Sequence, residues 1–392
     1  MINFFKRLIN PKKKELYLSD KGVYFQMDEK FCPENDVHAT PVYVKKIISN
    51  SRQVKCWSIK DTNIPKTWEI TKGKGKTCMV IDTGISNHVD LRDNITSNGR
   101  GFVRLRNGRI DTNWIDRNGH GTHVAGIIAA KDNNIGMVGV APESKVIPAK
   151  ALGDNGNGSF EWINNALRYA IDVKPDVVCM SLGAFVSDPS QHRLIRILYD
   201  MNIPVVCAAG NNGYNGGINY PAAYPETISV AAFDKNGNIA DFSARGTEID
   251  WAAPGVDVYS TWLNNRYIKL DGTSMAAPYI AGVILLLLAK HEIQEKETGK
   301  NDCKTVEDIR KHLLKYTIDK GMVGRDDYWG YGVLDIESIF NINSIEMPSS
   351  EETEVVESEK EEEKEIKEEI KDKKSSNIFS RLFQNIKKIF GF

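Results

Sequence analysis

Residues 270–290 read LDGTSMAAPYIAGVILLLLAK, a Gly-Thr turn that runs straight into a strongly apolar helix with one hydroxyl, Ser274, near its start. Pro278 fits a first helical turn, where its missing N–H would have no partner anyway. Ser274 therefore sits among the unpaired N–H groups and the positive dipole end of a helix start. Such a position suits an ordinary N-cap, and it equally suits a group that must stabilise an oxyanion. The stretch from Met275 to Ala289 is too short to span a bilayer and contains a Pro and a Gly, so a buried core helix is expected.

Working outward from this helix, KTCMVID, SKVIPAK, PDVVCMSL, IPVVCAAG and ETISVAAF are continuous apolar, β-rich runs. GHGTHVAGIIAA, FEWINNALRYAIDV and DPSQHRLIRILYDM alternate with them and carry helical patterns. Apolar strands separated by helices predict an α/β fold: a doubly wound, mostly parallel β-sheet flanked by helices, with ligands at the carboxyl ends of the strands. This pattern fills residues 56–343. Residues 1–55 are mixed and show no clear period. Residues 344–374 change character: from Glu351 to Lys374 there are twelve acidic, six basic and four apolar residues, the composition of a solvated charged linker. Residues 375–392 place Ile378, Phe379, Leu382, Phe383, Ile386, Ile389 and Phe390 on one face of a basic amphipathic helix.

With 392 residues and 41% apolar content the chain can bury a full core, and its net charge of −1 gives no global field for nucleic acid. The six cysteines form no CxxC pair, and no His/Cys cluster has zinc spacing. Cys78, Cys179 and Cys207 lie in apolar strand-like runs, where a free Cys acts as a small hydrophobe. A reduced, cytoplasmic protein is expected. The N-terminus, MINFFKRLINPKKKEL, is interrupted by Lys6 and Arg7 and lacks a cleavage site, so it does not read as a signal peptide.

Three stretches carry chemistry. VIDTG puts Asp82 at the carboxyl end of a buried strand, where a carboxylate needs hydrogen-bonding partners. NGHGTHVAG starts a helix with His120 and His123; no third His or Cys is near and HExxH is absent, so a zinc pair is not expected. Gly119, Gly121 and Gly126 point instead to closely packed backbones that hold His120 in a fixed position. The third is DGTSMAAP. A serine hydroxyl needs a base to take its proton, and the base needs a buried carboxylate to orient it. Asp82, His120 and Ser274 fill those roles in the chain order Asp, His, Ser.

The set VIDTGI (80–85), HVDL (88–91), NGHGTHVAG (118–126), NNIGMVGVAP (133–142), SLG (181–183), AAGNNG (208–213), NYPAAYP (219–225), GTSMAAP (272–278) and GYGVLD (330–335) resembles the subtilisin-family serine proteases, intracellular bacterial members in particular. The resemblance covers Cys56 to about Asn343. It implies a subtilisin-like fold and a serine endopeptidase acting through an acyl-enzyme. It implies Asn211 as the side-chain oxyanion donor beside the Ser274 N–H. By the same resemblance Ser181, Leu182 and Gly183 form an edge that pairs with an extended polypeptide substrate. Ala208, Ala209 and Gly210 form a wall of the specificity pocket, and Asn219 lies at its base, where its side chain should shallow the pocket. Asp90, Lys131, Asn133, Ile135 and Met137 match a structural calcium site, although the sequence before Asp90 is one residue shorter than the family pattern. No organic cofactor is implied.

Residues 1–55 resemble a short inhibitory propeptide, with trimming expected near Lys55–Trp57. NFFKRLIN (3–10) and NIFSRLFQ (377–384) share a pattern that suits docking of residues 1–10 and 377–392 on a membrane surface, a partner groove or a protein shell. Alternatives to hydrolysis are a non-catalytic binding protein on a protease fold and a peptide acyl transferase or cyclase. Broad intracellular protein turnover and maturation of one specific substrate look alike at this level.

Overall fold

The computed structural model describes residues 17–19, 22–24, 36–39, 43–48, 52–105 and 107–342. The expected linker 344–374, the terminal helix 375–392 and residues 1–10 lie outside the described residues.

In chain order the strands are β1 (Tyr17–Ser19), β2 (Gly22–Tyr24), β3 (Asp36–Ala39), β4 (Tyr43–Ile48), β5 (Thr77–Asp82), β6 (Arg100–Gly101), β7 (Val103–Arg104), β8 (Ile110–Asp111), β9 (Lys145–Lys150) and β10 (Asn157–Ser159). They continue with β11 (Val177–Met180), β12 (Leu182–Gly183), β13 (Val205–Ala208), β14 (Thr227–Phe233), β15 (Trp251–Pro254), β16 (Val258–Thr261), β17 (Tyr267–Asp271), β18 (Thr317–Ile318) and β19 (Val333–Leu334). The helices are α1 (Trp57–Lys60), α2 (Ile64–Thr67), α3 (His120–Ala129), α4 (Phe160–Val173), α5 (Pro189–Asp200), α6 (Thr273–Thr298), α7 (Val306–Lys315) and α8 (Ile336–Phe340).

The five predicted apolar runs are β5, β9, β11, β13 and β14, and they lie together in one sheet of order β15-β14-β13-β11-β5-β9-β6. Every pairing in that sheet is parallel. Because side chains alternate along a strand, each strand feeds two cores. Cys78, Val80, Cys179, Val206 and Val230 face one apolar cluster with α3 and α6. Met79, Ile81, Val178, Met180 and Cys207 face another with α4 and α5. The sheet is thus covered on both sides, as its unbroken apolar strands require.

Helix α6 runs through the first core. Thr273 to Leu287 are all buried, so this half has no polar face, whereas the EIQEKET end meets solvent. By length and composition α6 could cross a membrane, yet 89% of its most apolar window is buried inside the protein. Pro278 departs from the sequence reading. It lies in the sixth position of the helix, beyond the first turn, and leaves the Ser274 carbonyl without its i+4 donor. The Ser181 hydroxyl takes that donor's place, giving its hydrogen to the Ser274 carbonyl at 2.9 Å.

Two smaller sheets involve the segment before Cys56. Strands β1, β2 and β4 join β17 and β16 in an antiparallel sheet of order β1-β2-β4-β17-β16. Strand β3 is the middle of a three-stranded sheet, antiparallel to β10 on one side and β12 on the other. The described cysteines Cys56, Cys78, Cys179, Cys207 and Cys303 are all free and buried.

Candidate active site

Asp82 ends β5 and is fully buried. Its carboxylate accepts the Thr83 N–H at 2.6 Å and faces His120, whose Nδ1 lies 2.8 Å from Oδ1 and 3.0 Å from Oδ2. His120 opens α3, and the expected close approach of backbone is present at Gly121, whereas at Gly119 the close neighbour is a side-chain ring. A Cβ on Gly121 would meet the Gly84 carbonyl at 2.2 Å and Asp82 Oδ1 at 3.0 Å. Gly119 has φ +109°, and a Cβ there would strike the Trp262 ring at 2.4 Å.

Burial works against a charged imidazole, but the charge and hydrogen bond of Asp82, backed by the charge of Asp116, outweigh it. The His120 pKa is therefore raised above the ordinary value near 6.5. With Nδ1 held by Asp82, Nε2 remains buried with no hydrogen-bond partner. It is the nitrogen through which this ring can take a proton.

Ser274 and Ser181 stand beside this pair. The pairing Val80↔Cys179, continued one step on the same side, sets Asp82 next to Ser181 on adjacent strands about 4.8 Å apart. Ser274 Oγ donates to the Ser181 carbonyl at 3.3 Å and makes no hydrogen bond to His120 Nε2. Asn211 follows β13; its Oδ1 accepts the Thr273 N–H at 2.9 Å and the Thr273 hydroxyl at 2.8 Å. This fixes the amide oxygen at the N-terminus of α6.

The residues expected to bind substrate are also brought together. Ala208 ends β13, the Ala209 carbonyl accepts the Asn219 N–H at 2.9 Å, and the Gly210 N–H donates to Thr273 Oγ1 at 3.2 Å. Asn219 lies against Gly183 and Gly210: a Cβ on Gly183 would fall 2.8 Å from Asn219 Cβ, and one on Gly210 would fall 2.9 Å from Asn219 Cγ. Its Oδ1 is buried and unpaired. Leu182 and Gly183 form β12 and pair with Ala39 and His38 of β3, while Val37 of β3 is opposite Gly158 of β10. The Val37 side chain is fully buried in the apolar cluster that includes Leu152, Ile163 and Leu182.

His123 has a different role from His120. Its Nε2 lies 3.2 Å from the carbonyls of Val258 and Ile268, tying α3 to the β16–β17 hairpin. Burial, with the charge of His120 behind it, depresses its pKa to about 3, so it is a neutral structural imidazole.

Around the calcium-like loop, Asp90 is fully buried. Oδ1 accepts from Asn133 Nδ2 at 2.9 Å; Oδ2 accepts from the Met137 N–H at 3.0 Å and the Tyr267 hydroxyl at 2.7 Å. Gln53, which sequence reasoning missed, donates its Nε2 to the carbonyls of Lys131 (2.9 Å) and Met137 (3.4 Å). Asp90, Asn133, Gln53 and these two carbonyls form an oxygen-rich donor set. Turning over the two amides would present oxygen in place of nitrogen, which fits a hard cation. The Ile135 N–H donates to Asn133 Oδ1 at 3.2 Å, which places Ile135 in the same loop.

A second missed residue is Asp116. It is buried and accepts from Thr83 Oγ1, the N–H groups of Asn118 and Gly119, and both the N–H and the hydroxyl of Thr122. It locks the loop that delivers His120. The signal was present as an acid four residues ahead of His120 in DRNGH, the position from which a carboxylate reaches the N–H groups of a helix start.

Comparison with known proteins points to one family. The model described as the subtilase family matches residues 73–332. The intracellular serine protease of Paenibacillus polymyxa is 38% identical over 319 residues, 80% of this chain and 94% of that protein. The major intracellular serine protease of Bacillus subtilis (strain 168) is 38% identical over 273 residues, 68% of this chain and 85% of that protein. Against the minor extracellular protease Epr of the same organism, identity is 32% over 279 residues, 71% of this chain but only 40% of that longer protein.

Proposed function

The chain belongs to the subtilase family of serine-type endopeptidases, and on that premise we propose that it hydrolyses peptide bonds through Asp82, His120 and Ser274. Ser274 Oγ leaves the Ser181 carbonyl by rotation about χ1 and attacks the scissile carbonyl while His120 Nε2 takes its proton. Asp82 holds the ring and stabilises the imidazolium. The oxyanion accepts from Asn211 Nδ2 and the Ser274 N–H; its collapse breaks the C–N bond as His120 Nε2 passes the proton to the leaving amine. Water, giving a proton to the same nitrogen, then hydrolyses the acyl-enzyme with that proton returned to Ser274 Oγ. The observation that carries this reading is the Asp82–His120 pair with Nε2 buried and unpaired, Asp82 lying beside the strand that leads to Ser181, whose carbonyl accepts from Ser274 Oγ. Intact mass after fluorophosphonate treatment tests it: one adduct on the native chain and none on Ser274→Ala is expected. No adduct under any condition would favour a non-catalytic binding protein.

The substrate is an extended polypeptide whose backbone pairs with Leu182–Gly183 and Asn157–Ser159, the edges β3 occupies here. Asn219 shallows the pocket beyond Ala208, Ala209 and Gly210. The pairing of β3 between these edges supports the reading of residues 1–55 as an inhibitory extension. Strand β3 leaves the cleft at Ala39, opposite Leu182, and β4 begins at Tyr43, opposite Asp271, three residues before Ser274. Relief by self-trimming near Lys55–Trp57 predicts that native chain and Ser274→Ala diverge in N-terminus on prolonged incubation.

Calcium held by Asp90, Asn133 and the carbonyls of Lys131, Ile135 and Met137, with Gln53 as an added amide oxygen, would be a structural ion fixing this loop. The named intracellular relatives support action in the cytoplasm. Residues 1–10 and 377–392 would then serve docking on a membrane, partner or shell surface, tested by pull-down with and without both segments.

A further inference from the structure

The sequence spacing shows no zinc cluster, yet the fold assembles three soft donors far from the active site. His291 lies in the last third of α6, Cys303 in the loop that follows it, and His312 in α7. One potential ligand atom from each lies within 4.8 Å of the other two. His291 and Cys303 are only 3% and 2% exposed. Both ring nitrogens of His291 are buried without a hydrogen-bond partner. An imidazole whose polar atoms are both orphaned in the interior is costly, and such groups are normally satisfied by a protein partner, a water or an ion. The His312 ring stands at 89° to His291 with centroids 5.2 Å apart, and its Nε2 makes only a long contact, 3.4 Å, to the Ile339 carbonyl.

We propose that His291, Cys303 and His312 bind a Zn2+ ion. Two imidazoles and a thiolate form the mixed nitrogen and sulfur set that a borderline-soft ion prefers; the set lacks the oxygen ligands that calcium or magnesium demands. Zn–N bonds of about 2.0 Å and Zn–S bonds of about 2.3 Å set ligand–ligand edges of about 3.3–3.5 Å in a tetrahedron. The present spread closes to that by a side-chain adjustment of roughly 1.5 Å or less. His312 is only partly buried and gives the ion its way in. Asp302 supplies negative charge felt at both imidazoles; Lys290, close to Cys303, favours the thiolate but opposes the cation. Binding converts Cys303 from thiol to metal-bound thiolate and releases one proton to solvent. Water fills the fourth position.

The consequence is mechanical. Ser274 and His291 lie on the same helix, seventeen residues and about 25 Å apart. An ion that clamps His291 to Cys303 and His312 pins the solvent end of the helix whose other end carries the nucleophile. Two metal classes would then serve this chain: a hard ion at the Asp90 loop and a soft ion at the far end of α6.

The test uses the full Ser274→Ala chain, saturated with calcium and fully reduced, and Co2+ as the spectroscopic probe. One equivalent of Co2+ should produce a near-ultraviolet thiolate-to-metal charge-transfer band and visible bands of tetrahedral intensity, both erased by one equivalent of Zn2+. A further Cys303→Ser change should abolish the charge-transfer band, and His291→Gln should weaken Co2+ binding at least tenfold. Should these variants fail to fold, Zn2+ protection on the parent chain decides: bound ion should slow iodoacetamide labelling of Cys303, mapped by peptide mass, at least tenfold. Absence of a thiolate band on the parent chain, a band that survives Cys303→Ser, or unchanged labelling of Cys303 would each overturn the site.

Discussion

If β3 latches the cleft shut, Val37→Ala should loosen the latch by a calculable amount. Val37 is fully buried, and Ala removes two of its carbons. At about 0.8 kcal/mol per buried methylene, with a small added cavity cost, the latched form loses about 1–2 kcal/mol. The displaced form, in which residue 37 meets water, loses almost nothing. While displacement is rare, the population open to a fluorophosphonate rises in proportion, by about 5- to 30-fold. The assay is the second-order labelling rate of Ser274 followed by intact mass in freshly purified, untrimmed protein. The control is Leu198→Ala on α5, a buried change in the same apolar cluster that belongs to neither edge of the cleft. It should lower thermal stability at least as much as Val37→Ala and leave labelling unchanged. Equal labelling of native chain and Val37→Ala would refute the latch. Equal acceleration by Leu198→Ala would show that general loosening, not release of β3, exposes the nucleophile.

Four further outcomes follow from the site. Because His120 must be neutral to act and its pKa is raised by Asp82, kcat/KM should climb with pH through a midpoint above 6.5; Asp82→Asn should lower both the midpoint and the rate, the latter on the order of 10,000-fold. Asn211→Ala should cut kcat by about 100- to 1,000-fold with little change in KM, measured on a peptide substrate. His123 titrates near 6.5 when unfolded and about 3 when folded, so acid protonates the unfolded chain first. Its contribution to stability is intact above pH 6.5 and is lost at about 1.4 kcal/mol per pH unit as pH falls toward 3, a slope that His123→Gln should flatten in melting of the Ser274→Ala chain. Chelation by EGTA should lower the melting temperature of the Ser274→Ala chain, and Asp90→Asn should remove most of that response.

The candidate constellation of Asp82, His120 and Ser274 was legible because each member sits where backbone geometry itself restricts sequence. Asp82 ends a strand buried on both faces, so its neighbours must be apolar. His120 starts a helix pressed against Asp82, so Gly119 and Gly121 must lack side chains. Ser274 heads a helix with no polar face. What stayed hidden depends on long-range pairing with little compositional trace. Strand β3 has four residues, and its central place between β10 and β12 comes from edges more than a hundred positions away. Gln53 meets the Asp90 loop by one amide, which no local pattern announces.

Pro278 shows how a local rule can be right about the residue and wrong about the reason. In the first turn of α6 it would cost nothing; in the sixth position it deletes a bond from the interior of the helix. The Ser181 hydroxyl restores an equivalent bond to the Ser274 carbonyl, while the Ser181 carbonyl accepts from Ser274 Oγ. The edge that would receive substrate is thereby fastened to the residue that would attack it by two reciprocal hydrogen bonds. Together with the Asn211–Thr273 contacts, these fix the N-terminus of α6 from the segments that follow two adjoining strands. A helix start held by side chains that follow β11 and β13 would be preorganised toward a developing oxyanion in a way that an ordinary serine cap, bonded only within its own turn, is not.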